Sequence, residues 1–466
     1  MDEKKMFNQA GGHLQFAWNK SHFYVLVLFV ICNFALGGSS RNEIPSLIFL
    51  VPLSVLGLAY ALLSLRSRVA FDNRVILTAF GIVALTAIAH LIPMPQHIWA
   101  ALPGRALTYK IVSHASEQPV WLPLTLTPVE GRYAVYGLMA PLAAALIAIN
   151  INKVQQMRIA VVILFFGIVT ALVALMQALE VMAPFYKISS DTPSGIFANR
   201  NHHAVFVCAM IPLSLVVIQN YLGKVKNNYR KLIFLSFYLF IVIPTLILSS
   251  SRTGFITGLI MLPITFLVFE RAPVLNSRPG RAFLVKLIAS VFFVLTILFT
   301  IGQMSSRVNA INRMEYIFQD VRIPIWMEVM TFLPSYLPLG SGLGSAPKTY
   351  QIHEPVERLH PTYLNHLHND WLEIILTMGL PGVCILASGV ILYCLRARFL
   401  FAHGVGANPL QALGMTVVAI FAIASFVDYP LRTPSLATFA AIAVVWAAFP
   451  VSNRNVKLGT KCEDFK

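Results

Sequence analysis

Residues 159–182 read IAVVILFFGIVTALVALMQALEVM, with no charged side chain before Glu180. A bilayer hydrocarbon core about 30 Å thick needs roughly 20 predominantly apolar residues in helical form. This stretch therefore reads as a transmembrane helix. The same window applied outward along the chain finds further apolar runs near 21–39, 45–64, 75–92, 132–150, 203–222, 232–250, 254–269, 286–302, 370–395, 411–427 and 435–450. Together they predict an all-α polytopic membrane protein of about twelve spans. Pro52, Pro141, Pro212, Pro244 and Pro263 fall inside these runs. Membrane helices tolerate such kinks because neighbouring groups re-satisfy the freed backbone.

Composition agrees with that reading. Among 466 residues, 57% are hydrophobic and 12% charged, against roughly 25% charged in soluble domains. Mean hydropathy is +0.72. A disordered chain is excluded, and a soluble enzyme does not fit. The formal net charge of +16 also raises nucleic-acid binding. The positive residues, however, sit in short gaps between apolar runs, as in cytoplasmic loops. No zinc-finger spacing and no basic helix with interleaved aromatics is present, so the partner expected is the lipid bilayer and not a nucleic acid.

The gaps also set orientation. With both termini in the cytoplasm, the inner segments carry Lys4, Lys5 and Lys20, then Arg66, Arg68 and Arg74, then Lys153 and Arg158. Next come Lys224, Lys226, Arg230 and Lys231, and then Arg271, Arg278, Arg281 and Lys286. Arg396 and Arg398, and finally Arg454, Lys457, Lys461 and Lys466, complete the set. Short basic loops mark the cytoplasmic side. Two long segments then face out. Residues 93–131 are rich in Pro and aromatics, with Trp99 and Trp121 expected at the membrane interface. Residues 303–369 are expected to fold as short helices over the bundle. The first apolar run reads as an uncleaved span. Cys32, Cys208, Cys384, Cys394 and Cys462 lie in spans or the C-terminal tail, so no disulfide framework is expected. No internal repeat stands out, and residues 1–466 read as a single integral membrane domain.

Four polar clusters fall on the outer side of this topology. They are residues 194–203 (SGIFANRNHH), 249–254 (SSSRTG), 320–326 (DVRIPIW) and 366–373 (HLHNDWLE). Arg252 sits in a short turn between two apolar runs, where Ser250 or Ser251 is placed to cap the following helix. A capped helix N-terminus with a guanidinium makes an anion site; the alternative is an interfacial arginine that snorkels to headgroups. Gly254 and Gly258 form a small-xxx-small pair that admits a neighbouring helix. Arg322 is open between anion binding and a surface salt bridge with Asp320 or Glu328. His368 is open between a neutral general base at a helix mouth and an interfacial histidine bonded to a loop carbonyl. His353, Glu354, Glu357, His360, His366 and His368 put metal-ligand chemistry in the long loop. The spacing departs from H-E-x-x-H because Glu357 stands at the second histidine position, so no metal site is expected. Gly340-Ser341-Gly342-Leu343-Gly344 lacks the G-x-G-x-x-G spacing of a dinucleotide loop and reads as a tight turn.

His368-Asn369, nine residues, Gly379, two residues and Gly382 together resemble the H-N-x9-G-x-x-G pattern of the O-antigen ligase family. That family includes lipid-linked-glycan polymerases and protein-glycosylating transferases. Phe197-Ala198-Asn199-Arg200-Asn201 is similar to its F-x-N-x-N element, and Ser251-Arg252-Thr253-Gly254 to its S-R-T/G element. Arg322 with Trp326, followed by residues 339–344, resembles its R-x-x-x-W…G-x-G-x-G stretch, and Asp428-Tyr429-Pro430-Leu431 its late D-x-P-L element. The resemblance spans roughly residues 159–450.

It implies a membrane (GT-C-like) glycosyltransferase architecture and an inverting, metal-independent transfer without a cofactor on the periplasmic face of the bacterial inner membrane. The implied partners are an undecaprenyl-pyrophosphate-linked glycan as donor and an acceptor glycan or lipid core. Implied roles are His368 as the base on the acceptor hydroxyl, Arg252, Arg322 and Arg200 on the pyrophosphate, and Asn369, Asn199, Asn201 and Asp428 in positioning. Ligase, polymerase and protein oligosaccharyltransferase share this donor chemistry, and nothing in the sequence reads the acceptor. An exporter of lipid-linked sugars is the competing class; it predicts charges near the bilayer midplane and repeated halves, whereas here the polar clusters gather at one face.

Overall fold

The computed structural model describes residues 3–41, 44–116, 118–186, 192–222, 228–269, 322–359, 364–403 and 408–449. Long helices follow the apolar runs in order: α1 (Glu3–Leu36), α2 (Leu47–Leu63), α3 (Ser67–Asp72), α4 (Arg74–Ala89), α5 (Gln96–Ala100), α6 (Ala106–Ala115), α7 (Pro128–Ala148), α8 (Lys153–Ala178) and α9 (Arg200–Leu222). Then come α10 (Asn228–Leu248), α11 (Arg252–Phe269), α12 (Arg322–Phe332), α13 (Ala346–His353), α14 (Asp370–His403), α15 (Pro409–Val427) and α16 (Pro434–Ala448). Every expected span coincides with one of these except 286–302, which lies outside the described residues, as do Asp320, His360 and Cys462. Among the described residues five helices are long and apolar enough to cross a membrane: α7, α8, α9, α14 and α15. Segments of α1, α2, α4, α11 and α16 are apolar but shorter. The chain is an all-α polytopic membrane protein. Pro52, Pro141, Pro212, Pro244 and Pro263 all sit inside helices.

Backbone bonds tie one set of helix ends together. Ser435 N donates to Gly37 O at 3.1 Å, Ala198 N to Gly38 O at 2.9 Å, and Thr125 N to His90 O at 3.1 Å. The C-terminal ends of α1, α4 and α15 thus meet the N-terminal ends of α7, α9, α14 and α16 at one pole of the bundle. The main core runs through α1, α7, α8, α9, α15 and α16, with Phe34, Phe197, Phe206, Phe439 and Trp446 fully buried. A second cluster, Ile325, Val329, Phe332, Leu333, Tyr336, Tyr350, Leu367, Leu372 and Leu376, joins α12 and α13 to the start of α14. These residues cap the pole.

The link between cap and bundle explains Gly379. Helix α14 breaks there, at φ +59° and ψ −141°, a conformation that suits a residue without Cβ. A Cβ would also overlap the Pro338 carbonyl. The break frees carbonyls that the glycine-rich loop satisfies: Ser341 N donates to Leu376 O at 2.9 Å and Gly342 N to Thr377 O at 2.8 Å. A continuous helix across 370–395 is therefore corrected to a broken one whose gap seats residues 338–342. Trp99 is 1% exposed, donates to Pro123 O at 2.8 Å and packs beside Arg105; Trp121 is exposed. Pro93–Met94 (β1) pairs antiparallel with Leu122–Pro123 (β2), closing the first long loop on itself. Cys32, Cys208, Cys384 and Cys394 are free thiols.

Candidate active site

The start of α9 is shaped by α8. Gln177 Oε1 accepts from Ser194 N and Gly195 N, both at 2.9 Å, and its amide donates to Gly195 O at 3.0 Å. Phe197 is driven into the core, which leaves Asn199 at the helix cap, where its Oδ1 accepts from Asn201 N at 2.8 Å. Asn201 Oδ1 in turn accepts from Ser251 Oγ at 2.8 Å, and Ser251 Oγ accepts from Gly254 N at 3.0 Å. Ser251 is therefore the cap of α11, and Ser250 stands before it at φ +51°. Gly254 lets α11 approach α9, since a Cβ there would overlap that of Ala204. The capped ends of α9 and α11 are thus locked side by side.

Thr253 lies one residue beyond Arg252 and is the hub of the next layer. Arg322, at the start of α12, donates through Nη1 to Thr253 Oγ1 at 3.1 Å and to Val427 O. Thr253 Oγ1 donates to Asp428 Oδ2 at 3.4 Å. Asp428 Oδ1 accepts from His368 Nδ1 at 3.2 Å and from Tyr429 N at 3.0 Å. Asp428 is fully buried, whereas the His368 side chain keeps 26% exposure. Burial pushes the Asp428 carboxyl up, but the hydrogen bond from His368 and the charges of His368, Arg322 and His202 outweigh it and hold the group well below the usual carboxylate range. His368 itself adopts φ +53°, a left-handed conformation that costs a non-glycine residue about 1–2 kcal/mol. The cap fixes it: Trp326 Nε1 donates to Leu367 O at 2.8 Å, and Leu367 N donates to Glu373 Oε2 at 3.1 Å.

Of the residues expected in the site, His368, Asp428 and Arg322 share one hydrogen-bonded network. Asn199 and Asn201 border it, Asn199 also bonding the Tyr429 hydroxyl. Arg252 opens α11 between the capping Ser251 and the hub Thr253. Arg200 opens α9 with Nη1 buried and without a hydrogen-bond partner among the described residues. Asn369 is committed to local structure, its Oδ1 accepting from Leu372 N at 3.0 Å as the cap of α14. Glu328, a sequence candidate for pairing with Arg322, is instead bonded to Arg358 at 2.7 Å and to the Tyr350 hydroxyl at 2.7 Å. His353 stacks on Phe332 at 4.3 Å and bonds the Tyr336 hydroxyl at 3.0 Å. Among the described residues no three His, Cys, Asp or Glu side chains gather as a metal-holding group.

Sequence reasoning missed Tyr429, Thr253 as a bridge, and Arg432. Arg432 pairs with Asp370 at 2.9 Å and Glu373 at 3.3 Å, beneath the site. Burial lowers the Arg432 pKa, but the two carboxylates outweigh that and raise it. Its position four residues after Asp428 was the available signal.

The arrangement supplies an imidazole held through Nδ1 by a buried carboxylate, next to a fixed guanidinium and the N-termini of α9, α11, α12 and α14. Helix N-termini carry partial positive charge and unsatisfied N–H groups. The chemistry this suits is proton transfer beside a polyanion. Residues 237–387 match the family model described as O-Antigen ligase. Over that stretch the chain is similar to the O-antigen ligase family. No curated protein matches the chain. With the apolar helices, the match supports a membrane protein of ligase- or polymerase-type glycan transfer. The matched stretch contains Arg252, Arg322, His368, Asn369, Gly379 and Gly382. Asn199, Arg200, Asn201 and Asp428 lie outside it in sequence, and of these Asp428 and Asn201 bond directly to residues within it.

Proposed function

We propose that the protein transfers a glycan from undecaprenyl pyrophosphate to an acceptor hydroxyl at the periplasmic face of the bacterial inner membrane, with both termini in the cytoplasm. His368, oriented by Asp428, takes the proton of the acceptor hydroxyl as that oxygen attacks the anomeric carbon. Attack from the face opposite the leaving group inverts the centre. The pyrophosphate departs with the bonding electrons, and Arg322, Arg252 and Arg200 with the converging helix N-termini hold its charge. Asn199 and Asn201 fix the two helix ends that present these groups, and Asn369 fixes the helix behind His368. No metal is required in this scheme, because guanidinium groups carry the charge that a metal clamp otherwise carries. The basic short loops support the orientation.

The observation that carries the reading is the His368–Asp428–Thr253–Arg322 chain of contacts, which joins a base to an anion-binding side chain across four separate segments. The test is a gene deletion followed by comparison of lipid-linked oligosaccharide, free polymer and lipid-core-attached glycan, complemented with wild type or His368→Ala. Intact long chains left on the carrier indicate a ligase, and single units left on the carrier indicate a polymerase. His368→Ala should insert normally and fail to complement; an unchanged glycan profile in that strain defeats the base assignment. Activity should persist in EDTA, and loss with rescue by a divalent ion removes the metal-free scheme.

A further inference from the structure

In the reaction proposed above the acceptor hydroxyl gives its proton to His368 while the departing diphosphate oxygen takes up negative charge, which an acid complementing the base neutralises. A second imidazole stands beside the first. His366 Nδ1 bonds Glu373 Oε1 at 3.1 Å, just as His368 Nδ1 bonds Asp428 Oδ1 at 3.2 Å. Both rings pack on Tyr429, with centroid separations of 4.6 Å for His366 and 4.8 Å for His368. Each is therefore a histidine anchored on a nearly or fully buried carboxylate through one nitrogen, and no partner among the described residues occupies the other.

The two anchors differ in charge balance. Asp428 faces Arg322, His368 and His202. Glu373 and Asp370 face one guanidinium, Arg432, which shares Glu373 Oε1 with His366. Glu373, which holds His366, thus shares one guanidinium with a second carboxylate. The groups facing His366 are Glu373 and Asp370 from α14, Arg432 and Tyr429 from the link between α15 and α16, His368 two residues along, and His202 from α9. His366 therefore has two carboxylates close by, whereas His368 has one, with Arg322 joined to it through Thr253.

Resting on the glycan-transfer reading, we propose that His366 is the acid of this site, giving its Nε2 proton to the diphosphate oxygen that leaves the anomeric carbon while His368 Nε2 receives the proton of the acceptor hydroxyl. The C–O bond to the diphosphate breaks with its electrons on oxygen, that oxygen takes the His366 proton, and the new glycosidic bond forms. One turnover leaves His366 neutral and His368 protonated, and exchange with water resets both.

The experiment is a pH profile of kcat in proteoliposomes, using a polyprenyl-diphosphate-linked glycan and its acceptor. Wild type should give a bell. His366→Gln should lower kcat about 10²-fold and lose the alkaline limb while keeping the acid limb; His368→Gln should lose the acid limb. An intact bell at near wild-type kcat in His366→Gln overturns the proposal. Should that variant fail to reach the membrane, the proton inventory of wild type decides. A curved dependence of kcat on deuterium fraction means two protons in flight and supports the acid–base pair, and a linear one overturns it. Absence of transfer by wild type defeats instead the function reading on which this step rests.

Discussion

Replacing Asp428 by Asn changes a charge and almost nothing else, which makes it the sharpest probe of the site. The carboxylate is fully buried and accepts three hydrogen bonds, from His368, Tyr429 N and Thr253. An amide oxygen at the Oδ1 position keeps the first two. What disappears is the attraction between the anion and the imidazolium that forms when His368 takes a proton. At 3.2 Å and an effective dielectric of 20, that attraction is about 5 kcal/mol. The partly exposed imidazole ring is screened by solvent, which reduces the loss to about 2–3 kcal/mol, or roughly 30–150-fold in kcat. Thermal stability should fall by about 1–3 kcal/mol, because the Thr253 hydroxyl then faces an amide N–H and loses its acceptor. Asp428→Ala should be worse in a different way, because it strands the Tyr429 N–H and the Thr253 hydroxyl in a buried setting at about 1–3 kcal/mol each, and protein levels should fall. The assay is glycan transfer in proteoliposomes, normalised to folded protein by size-exclusion fluorescence. An Asp428→Asn protein with more than half of wild-type kcat would falsify the claim that this carboxylate stabilises the protonated histidine.

Arg322→Lys should lower donor turnover about 10²-fold, because one ammonium cannot reproduce a planar fork whose Nη1 bonds both Thr253 and Val427 O; full activity in radiolabelled-donor assays contradicts the charge-holding role. Thr253→Val keeps shape and removes the bridge between Arg322 and Asp428, so a loss near tenfold with unchanged protein yield is expected from the same assay. Gly379→Ala should reduce stability by more than about 1 kcal/mol, since it combines a left-handed backbone with overlap on Pro338, and thermal unfolding in detergent measures it.

How much of this was legible depended on whether a residue acts through period and charge or through a partner distant in sequence. The spans were readable because a bilayer demands long apolar runs, and such a run declares itself without tertiary context. The break in α14 was not readable. Gly379 and Pro381 sit in an apolar run that scans as continuous, and the break is required only because Ser341 and Gly342 donate their N–H groups to the Leu376 and Thr377 carbonyls. The burial of Trp99 was not readable for a related reason: its Nε1 bond to Pro123 O and its place beside Arg105 depend on the pairing of β1 with β2.

The same distinction sorts the site. Arg252, Arg322 and His368 were found because a charged or imidazole side chain beside a membrane span is costly and invites a reason. Thr253, Tyr429 and Arg432 carry no such signal, and each earns its place only through a contact across a large sequence gap: Thr253 with Asp428, Tyr429 with His366 and His368, Arg432 with Asp370 and Glu373. Buried ionic groups are stable only when paired and hydrogen-bonded. Two carboxylates at the mouth of α14 and a third after α15 therefore had to find partners, and the partners present were the arginines and imidazoles of neighbouring segments. The pairing that makes these charges tolerable near a bilayer is also what aligns the imidazoles. Substitutions that relieve the ionic load, such as Arg432→Met with Glu373→Gln and Asp370→Asn, should preserve insertion and still depress turnover. A triple variant with normal kcat would show that alignment does not depend on these charges.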